Sequence, residues 1–344
     1  MSDDVKKKTA PLNLEEFRKK IRKDFGKEAL INAEEKESYG KVIPCTSFSL
    51  SNATGIGGFA KNKLYTVDGD TGAGKSTTAY DIIGQCQKLY DEPCLLIDKE
   101  DSYTRNYGKQ LGINNDLLDV SCPHTLEDMY AIVETALRNK IFGVIVVDSV
   151  TSFAPEARFN EAAQMGIESR VNSDKMRLII DALAESNTCL IMIQQIREKI
   201  GAFGDPTTVS GGKAIPFYAN VRIRITRSEI DRELEQNVMK FTFIKNKLAT
   251  PFKVGTVVYK WNQGFDFSSE VASLAQEFGI IIKEGSSYIL PEMEDMRIVG
   301  NKKLITYLNN NPEYTKSVLE PKVIEYLQST QLRKDEIREE EISH

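Results

Sequence analysis

Residues 63–90 have the sequence KLYTVDGDTGAGKSTTAYDIIGQCQKLY, which starts as an apolar strand and ends as a helix. Between the two, GDTGAGKS at 69–76 matches the pattern G-x-x-x-x-G-K-S. Its glycines let the backbone turn tightly and present N–H groups to phosphate oxygens at a helix N-terminus. The stretch therefore predicts a nucleotide phosphate loop, in which Lys75 reaches the β- and γ-phosphates and the Ser76 hydroxyl binds Mg²⁺.

Further along, short apolar segments alternate with helical ones. Strands are predicted at CLLID (94–98), FGVIVVDS (142–149) and CLIMIQQ (189–195), with helices at 126–139 and 169–186 between them. Strands that are apolar throughout and alternate with helices are typical of βαβ units around a parallel sheet. The sequence therefore predicts an α/β protein with a mostly parallel central sheet.

After residue 215 the pattern changes. The segments FYANVRIRITRSEI, VMKFTFIKNK and TVVYKWNQGFDF predict closely spaced strands, which we expect to extend the sheet in antiparallel fashion. From about residue 271, helices and short strands predict a small α/β domain. We therefore divide the chain into an N-terminal tail and helix (1–60), a core (61–270), a small C-terminal domain (271–330) and a charged acidic tail (331–344).

An isolated amphipathic helix is predicted near the N-terminus. Apolar side chains recur there at helical spacing, at Leu14, Phe17, Ile21 and Phe25. The predicted helix is preceded by Asn13, and a glutamate stands three residues after that asparagine, a spacing typical of a capping box. A lone apolar stripe must be buried, and two partners are open: the helix's own domain or a neighbouring subunit.

Composition excludes several classes of protein. The 344 residues carry 45 basic and 50 acidic side chains, so a uniformly basic nucleic-acid binder is excluded, although a local basic patch is not. The five cysteines are scattered singly and there are two histidines, which argues against a disulfide scaffold, a zinc site or chemistry built on a histidine base. No signal peptide or membrane-length apolar run is visible, so we expect a soluble cytoplasmic protein.

Acidic residues follow two of the predicted strands. Asp148 ends the most apolar strand, at the edge where open α/β sheets bind ligands, and we expect it to hold the metal ion. Asp98 and Glu100 come at the end of the strand after the phosphate-loop helix. A carboxylate there can activate water for attack on the γ-phosphate, and the residues alone do not choose between the two.

Two polar segments and a pair of lysines follow these strands. The long segment at 194–212, QQIREKIGAFGDPTTVSGG, combines glycines, basic residues and one aromatic residue, which suits either DNA or a lid over the nucleotide. A second segment, FNEAAQMGIESR at 159–170, ends in an arginine. Lys245 and Lys247 stand two apart in a β-pattern, so we expect them to share one face of a strand.

Together these segments resemble the RecA recombinase family over roughly residues 12–330. The resemblance is strongest in FGVIVVDSVTSFAPEA, in IQQIREKIGAFGDPTTVSGGKAIPFYANVRI and in KNKLATPFK. It implies a RecA-type P-loop NTPase core with an N-terminal polymerisation helix and a small C-terminal α/β domain. The unusual residues inside the phosphate loop, and the many Lys, Glu, Asn and Ile residues, favour a phage or otherwise distant member such as the UvsX group.

The resemblance also implies individual roles. Glu100 matches the glutamate that activates water, Gln195 the glutamine that senses the γ-phosphate, and Tyr107 the tyrosine that stacks on adenine. With Lys75, the first two form the catalytic set. The implied ligands of ATP are Gly69, Asp70, Thr71, Gly72, Ala73, Gly74, Lys75, Ser76, Thr77, Tyr107, Lys245 and Lys247, those of Mg²⁺ are Ser76 and Asp148, and those of DNA are Met165, Arg170, Arg197, Lys199, Phe203, Gly211 and Gly212.

The implied function is a DNA-dependent ATPase that forms helical filaments on single-stranded DNA and promotes pairing and strand exchange with homologous double-stranded DNA. ATP would lie between adjacent subunits, where Lys245 and Lys247 reach across the interface. Single-strand-binding and mediator proteins would be further partners, and a membrane would not. Two alternatives remain at this stage: a hexameric helicase-type motor with the same core, and a nucleotide-binding regulatory scaffold without DNA activity.

Overall fold

The computed structural model describes residues 13–26, 29–33, 39–158, 166–198, 207–209, 212–232, 235–261, 263–327 and 329. It divides into two units, one up to Gly40 and one from Lys41 onward. Residues 41–60, which the sequence analysis grouped with the N-terminal tail, belong to the larger unit. The four-part division of the chain stays a prediction.

The smaller unit contains helix α1, Leu14–Phe25. The predicted capping box is confirmed, because the Asn13 side chain accepts from the backbone N–H of Glu16 while the Glu16 carboxylate accepts from the N–H of Asn13. Leu14 and Phe25 are largely exposed, so the apolar stripe of the helix faces outward within this unit.

The elements follow the predicted alternation. In chain order the strands are β1 (Val42–Ile43), β2 (Phe59–Ala60), β3 (Lys63–Gly69), β4 (Cys94–Asp98), β5 (Leu118–Ser121), β6 (Val144–Asp148), β7 (Cys189–Glu198), β8 (Thr207–Val209), β9 (Val221–Asp231), β10 (Gln236–Asn246), β11 (Val254–Lys260), β12 (Gly264–Phe265), β13 (Ile282–Glu284), β14 (Ser287–Leu290) and β15 (Met293–Val299). The helices after α1 are α2 (Phe48–Ala53), α3 (Lys75–Tyr90), α4 (Arg105–Gln110), α5 (Leu126–Asn139), α6 (Ile167–Ala184), α7 (Ala214–Tyr218), α8 (Phe267–Glu277), α9 (Asn301–Asn310) and α10 (Pro312–Tyr314), which continues through Thr315–Leu319 into residues 320–327.

The main sheet has the strand order β12-β11-β10-β9-β3-β7-β6-β4-β5, with β8 paired to β7. Strands β9, β3, β7, β6, β4 and β5 run parallel, and β10, β11 and β12 add to one side in antiparallel fashion. Because the parallel strands point the same way, their carboxyl ends meet at one edge of the sheet.

One predicted strand direction is wrong. We expected the strand that begins in FYANVRIRITRSEI to join the sheet antiparallel, but β9 pairs parallel with β3, Tyr65 opposite Val221. The reason lies in α7, which carries the chain back across the sheet after β7, so that β9 starts at the same edge as β3. Only the later strands, from β10 onward, return by short connections and run antiparallel.

The sheet is covered on both faces, as its apolar strands require. One face packs against α3, through buried residues such as Ile82 and Ile83. The other packs against α5, α6 and α7, through Met129, Met176 and Ile215. A third core joins α8 and α9 to the small antiparallel sheet of β13, β14 and β15. Within the described ranges, no helix is long and apolar enough to cross a bilayer.

Candidate nucleotide and DNA site

The phosphate loop lies where β3 ends and α3 begins, at the carboxyl edge of the sheet. Gly69 is the last residue of β3, and a Cβ there would collide with the carbonyl oxygen of Ile225 on β9, so a side chain is excluded. Gly74 has φ +97°, a left-handed conformation that favours glycine, and it directly precedes α3. The loop therefore leads directly into the N-terminus of a sixteen-residue helix. Backbone N–H groups at a helix N-terminus are the donors that phosphate binding needs.

Lys75 is buried at this helix start, and its Nζ donates to the carbonyl oxygen of Asp70 at 2.7 Å. Burial lowers the pKa of Lys75, and the nearby carboxylates of Asp148, Asp70, Glu100 and Asp68 oppose that effect. Lys75 thus donates to the loop that would hold the phosphates and lies among several carboxylates.

Asp148 ends β6 and lies beside the phosphate loop. Burial raises the pKa of Asp148, while the hydroxyl of Ser76, hydrogen bonded to the carboxylate, opposes the increase. The Tyr80 hydroxyl donates to Asp148 Oδ2 at 3.3 Å. The structure therefore brings together a hydroxyl and a carboxylate oxygen, the two ligands assigned to Mg²⁺ from the sequence.

This donor set fits magnesium. Mg²⁺ prefers oxygen ligands and usually keeps several waters and substrate phosphates while taking few ligands from the protein. In the part of the chain that the structure describes, no three acidic, cysteine or histidine side chains gather into a metal site of their own. Ser76 and Asp148 would accordingly hold the ion together with the nucleotide.

The two candidate carboxylates after β4 have different environments. Asp98 is buried and accepts from the backbone N–H groups of Tyr103 at 2.8 Å and Glu100 at 3.2 Å, so it stabilises the turn. Glu100 is exposed, and its Oε1 accepts from the hydroxyl of Ser152 at 2.7 Å and from Gln195 Nε2 at 3.4 Å. An exposed carboxylate can meet water and substrate, which favours Glu100 over Asp98 as the base.

Gln195 lies on β7, the strand that pairs directly with β3, and it stands opposite Gly69 of the phosphate loop. Its amide nitrogen meets Glu100 across the carboxyl edge, although the two residues are 95 positions apart in sequence. The strand continues to Glu198 and leads into the long segment predicted to contact DNA. One side chain thus connects that segment to the candidate base.

A group of tyrosines lies next to the loop helix. The Tyr107 hydroxyl is 2.6 Å from Thr77 Oγ1 and 3.3 Å from the hydroxyl of Tyr259 on β11, and its ring makes an edge contact with Tyr80. Sequence reasoning missed Tyr259, because nothing in TVVYKW marks it as more than a strand residue. The structure places it beside the residue assigned to the base of the nucleotide.

The lysine pair lies at the end of β10. The strand ends at Asn246, so Lys245 belongs to it, while Lys247 follows one residue beyond and is exposed. Lys245 is half-buried and its Nζ donates to the carbonyl oxygens of Phe217 at 2.7 Å and Pro216 at 3.0 Å. Burial, then the charges of Lys247 and Arg222, lower the pKa of Lys245 to about 8.

Several residues assigned to DNA, Met165, Lys199, Phe203 and Gly211, lie outside the described residues, as does the side chain of Arg197. Arg170 is exposed on the first turn of α6. Gly212 has φ +90°, and a Cβ there would lie 2.6 Å from the Ser169 hydroxyl. The ends of the two predicted DNA segments therefore meet at Gly212 and Ser169, the residue before Arg170.

Comparison with known proteins adds to this geometry. A family model described as the RecA N-terminal domain matches residues 13–266. Protein RecA of Deinococcus radiodurans is 34% identical over 337 residues, which cover 92% of this chain and 92% of that protein. Protein RecA of Lactobacillus johnsonii is 32% identical over 329 residues (93% and 89%), and that of Thermotoga petrophila 31% over 355 residues (100% and 98%).

Proposed function

Because the chain belongs to the RecA family, we propose that the carboxyl edge of its sheet hydrolyses ATP and transmits the state of the nucleotide to bound DNA. The chain is a RecA-type recombinase, a DNA-dependent ATPase of strand exchange and repair. The helicase-type motor and the regulatory scaffold are not favoured, since the similarity extends over most of the chain. A recombinase of this family would act in the cytoplasm of a bacterial or phage-infected cell.

The observation that carries the proposal is the contact between Gln195 and Glu100. Gln195 Nε2 reaches Glu100 Oε1 at 3.4 Å from the strand that leads into the second DNA segment. A displacement of that strand would change the hydrogen bonding of the Glu100 carboxylate. Loss of the γ-phosphate would in turn change the contact between Glu100 and Gln195, and so the position of the strand. Hydrolysis and DNA binding are thereby coupled through one side chain.

The residues divide the chemistry between them. The loop backbone and Lys75 would bind the β- and γ-phosphates, and Ser76 and Asp148 would hold Mg²⁺, whose charge would stabilise negative charge on the phosphate oxygens. Glu100 accepts a proton from the attacking water. Tyr107 would pack on the adenine. Tyr259, whose hydroxyl is 3.3 Å from that of Tyr107, would line the same side of the adenine site.

Assembly completes the site. Lys245 and Lys247 would reach the ATP of the neighbouring subunit, and the outward apolar stripe of α1 would pack on a neighbour in a helical filament. The basic and glycine-rich segments at 159–170 and 194–212 would then line single-stranded DNA and admit a homologous duplex. Single-strand-binding and mediator proteins would act on this filament.

The decisive experiment measures ATP turnover with and without single-stranded DNA, in the parent chain and in Lys75→Ala. Loss of a charge aimed at the transferred phosphate should lower turnover by about 10²–10³-fold. Lys88→Ala is the matched control, because Lys88 is exposed in the last turn of the same helix. Near-parent turnover of Lys75→Ala would refute the assignment of the loop.

Negative-stain images complete the test. With ATP and single-stranded DNA we expect helical filaments. Closed rings with ATP-driven duplex unwinding would instead indicate a helicase-type motor. Isolated particles that bind ATP but no DNA would indicate a scaffold.

A further inference from the structure

Ser152 makes the shortest hydrogen bond to the candidate base. It lies in the turn Val150–Ser152 that follows β6, and its Oγ donates to Glu100 Oε1 at 2.7 Å. A hydroxyl–carboxylate bond of this length belongs to the strong, charge-assisted class. Ser152 and Glu100 are 52 residues apart in sequence, so no spacing or pattern points to this contact.

Glu100 Oε1 is a shared oxygen. Ser149 Oγ and Gln195 Nε2 also donate to it, each at 3.4 Å, and the hydroxyls of Ser149 and Ser152 are 2.8 Å apart. The donors thus come from two elements: the turn after β6, and β7, which leads into the second DNA segment. Of these contacts the bond from Ser152 is the shortest, so the turn after β6 holds the carboxylate more firmly than β7 does.

A donor on a carboxylate has two effects on general-base catalysis. It stabilises the charged form and so makes the oxygen a weaker acceptor for a proton from water. It also fixes the side chain in one orientation. Both effects decline when the donor moves away or when another, longer contact takes its place.

We propose that Ser152 is a positioning residue that holds Glu100 by Oε1 and restrains hydrolysis until Gln195 takes over that oxygen. DNA bound at the second segment shifts β7, so that Glu100 Oε1 exchanges the short bond from Ser152 for the longer contact from Gln195. This inference rests on the proposed function and deepens it, because it assigns the restraint of the ATPase to a residue outside the phosphate loop and the DNA segments.

The test is a steady-state measurement of kcat and KM for Mg-ATP in Ser152→Ala, with and without a saturating single-stranded oligonucleotide. We expect turnover without DNA to rise about 3- to 10-fold, since a hydrogen bond to a charged group is removed. Turnover with DNA should stay within about 2-fold of the parent, because Ser152 has then already released the carboxylate. The stimulation by DNA should therefore fall about 3- to 10-fold while KM is unchanged.

Two variants control the measurement. Ser152→Thr keeps a hydroxyl and should restore the stimulation ratio of the parent. Ser102→Ala removes the hydroxyl that donates to Asp98 Oδ1 at 3.4 Å, at the other carboxylate after β4, and should leave the ratio unchanged. If Ser152→Ala does not fold, Ser152→Cys replaces it, because a thiol is a weak donor.

The outcomes separate the two proposals. If the parent chain is stimulated by DNA and Ser152→Ala has the same ratio, the inference about Ser152 fails and the proposed function stands. A proportional loss of turnover with and without DNA also overturns the inference, because Ser152 would then support Glu100 in both states. If the parent itself lacks DNA-stimulated turnover, the proposed function fails and this inference fails with it.

Discussion

Two buried lysines, Lys61 and Lys75, lie at opposite edges of the same sheet. Lys61 precedes β3 at the amino edge, where it forms an ion pair with Glu92 and lies 5.0 Å from the centroid of the Tyr90 ring. Lys75 follows β3 at the carboxyl edge, where it donates to a backbone carbonyl oxygen and is surrounded by several carboxylates at longer range.

The contrast separates a structural charge from a functional one. Lys61 has a dedicated partner and no access to solvent, so its charge is balanced within the fold. Lys75 is directed at a backbone loop whose N–H groups would bind phosphate, so its charge is balanced in full only when a nucleotide is bound. Removal of each lysine should therefore affect a different property of the protein.

The largest effect should come from the carboxyl edge. Glu100→Gln should lower ATP turnover by about 10²–10⁴-fold and leave ATP binding intact, because only proton acceptance is lost. Turnover and fluorescent-nucleotide titration measure the two properties. Asp98→Asn should instead weaken the turn after β4, so a large loss of turnover in Asp98→Asn with near-parent turnover in Glu100→Gln would reverse the assignment of the two carboxylates.

A substitution of Lys61, at the amino edge, should change the stability of the fold rather than ATP turnover. Lys61→Met leaves Glu92 without its partner and should lower the free energy of unfolding by about 2–4 kcal/mol, somewhat less than for a fully buried pair because Glu92 is partly exposed. Lys75→Met removes a desolvated charge and should leave stability nearly unchanged while turnover is lost. Urea denaturation checks both. Equal destabilisation by the two variants would contradict the contrast.

The DNA segment should show intermediate effects of two kinds. Phe203→Ala should weaken binding to single-stranded DNA by about 1–3 kcal/mol with little change in salt dependence, because it removes contact with bases. Arg197→Ala should lower the salt slope by about 0.7, which corresponds to one phosphate contact. Fluorescence anisotropy across a salt series, with a slowly hydrolysed ATP analogue, measures both. Parent-like binding by both variants would show that this segment is not the DNA site.

The smallest effect should be a pH dependence at the interface. Because the pKa of Lys245 is lowered to about 8, its positive charge is lost as the pH rises through that value. ATP-dependent filament formation should therefore weaken above about pH 8. In Lys245→Arg it should persist to higher pH, since a guanidinium stays charged. Light scattering between pH 7 and 9 compares the two chains, and identical profiles would exclude a role for the charge of Lys245.

Sequence reasoning succeeded where periodicity is local. The bounds of β4 and α5 agree with the predicted segments, because apolar runs and caps are determined by neighbouring residues. The direction of β9 could not be predicted, since it depends on how α7 crosses the sheet. The separation of Glu100 from Asp98 rests on backbone N–H groups of the turn, and the positions of Tyr259 and Ser152 rest on contacts between distant strands. These carry no sequence signal.

The carboxylate of Glu270 on α8 accepts from the Ser47 hydroxyl at 2.9 Å and from the backbone N–H groups of Ser49 at 2.7 Å and Phe48 at 3.2 Å, at the start of α2. This contact closes a loop of 223 residues, so a large loop-closure entropy opposes it in the unfolded chain. It also links the core formed by α8, α9 and the small antiparallel sheet to the start of α2. We therefore expect this core and the main sheet to unfold in a single calorimetric transition, and a chain truncated before α8 to lose stability in the main sheet itself.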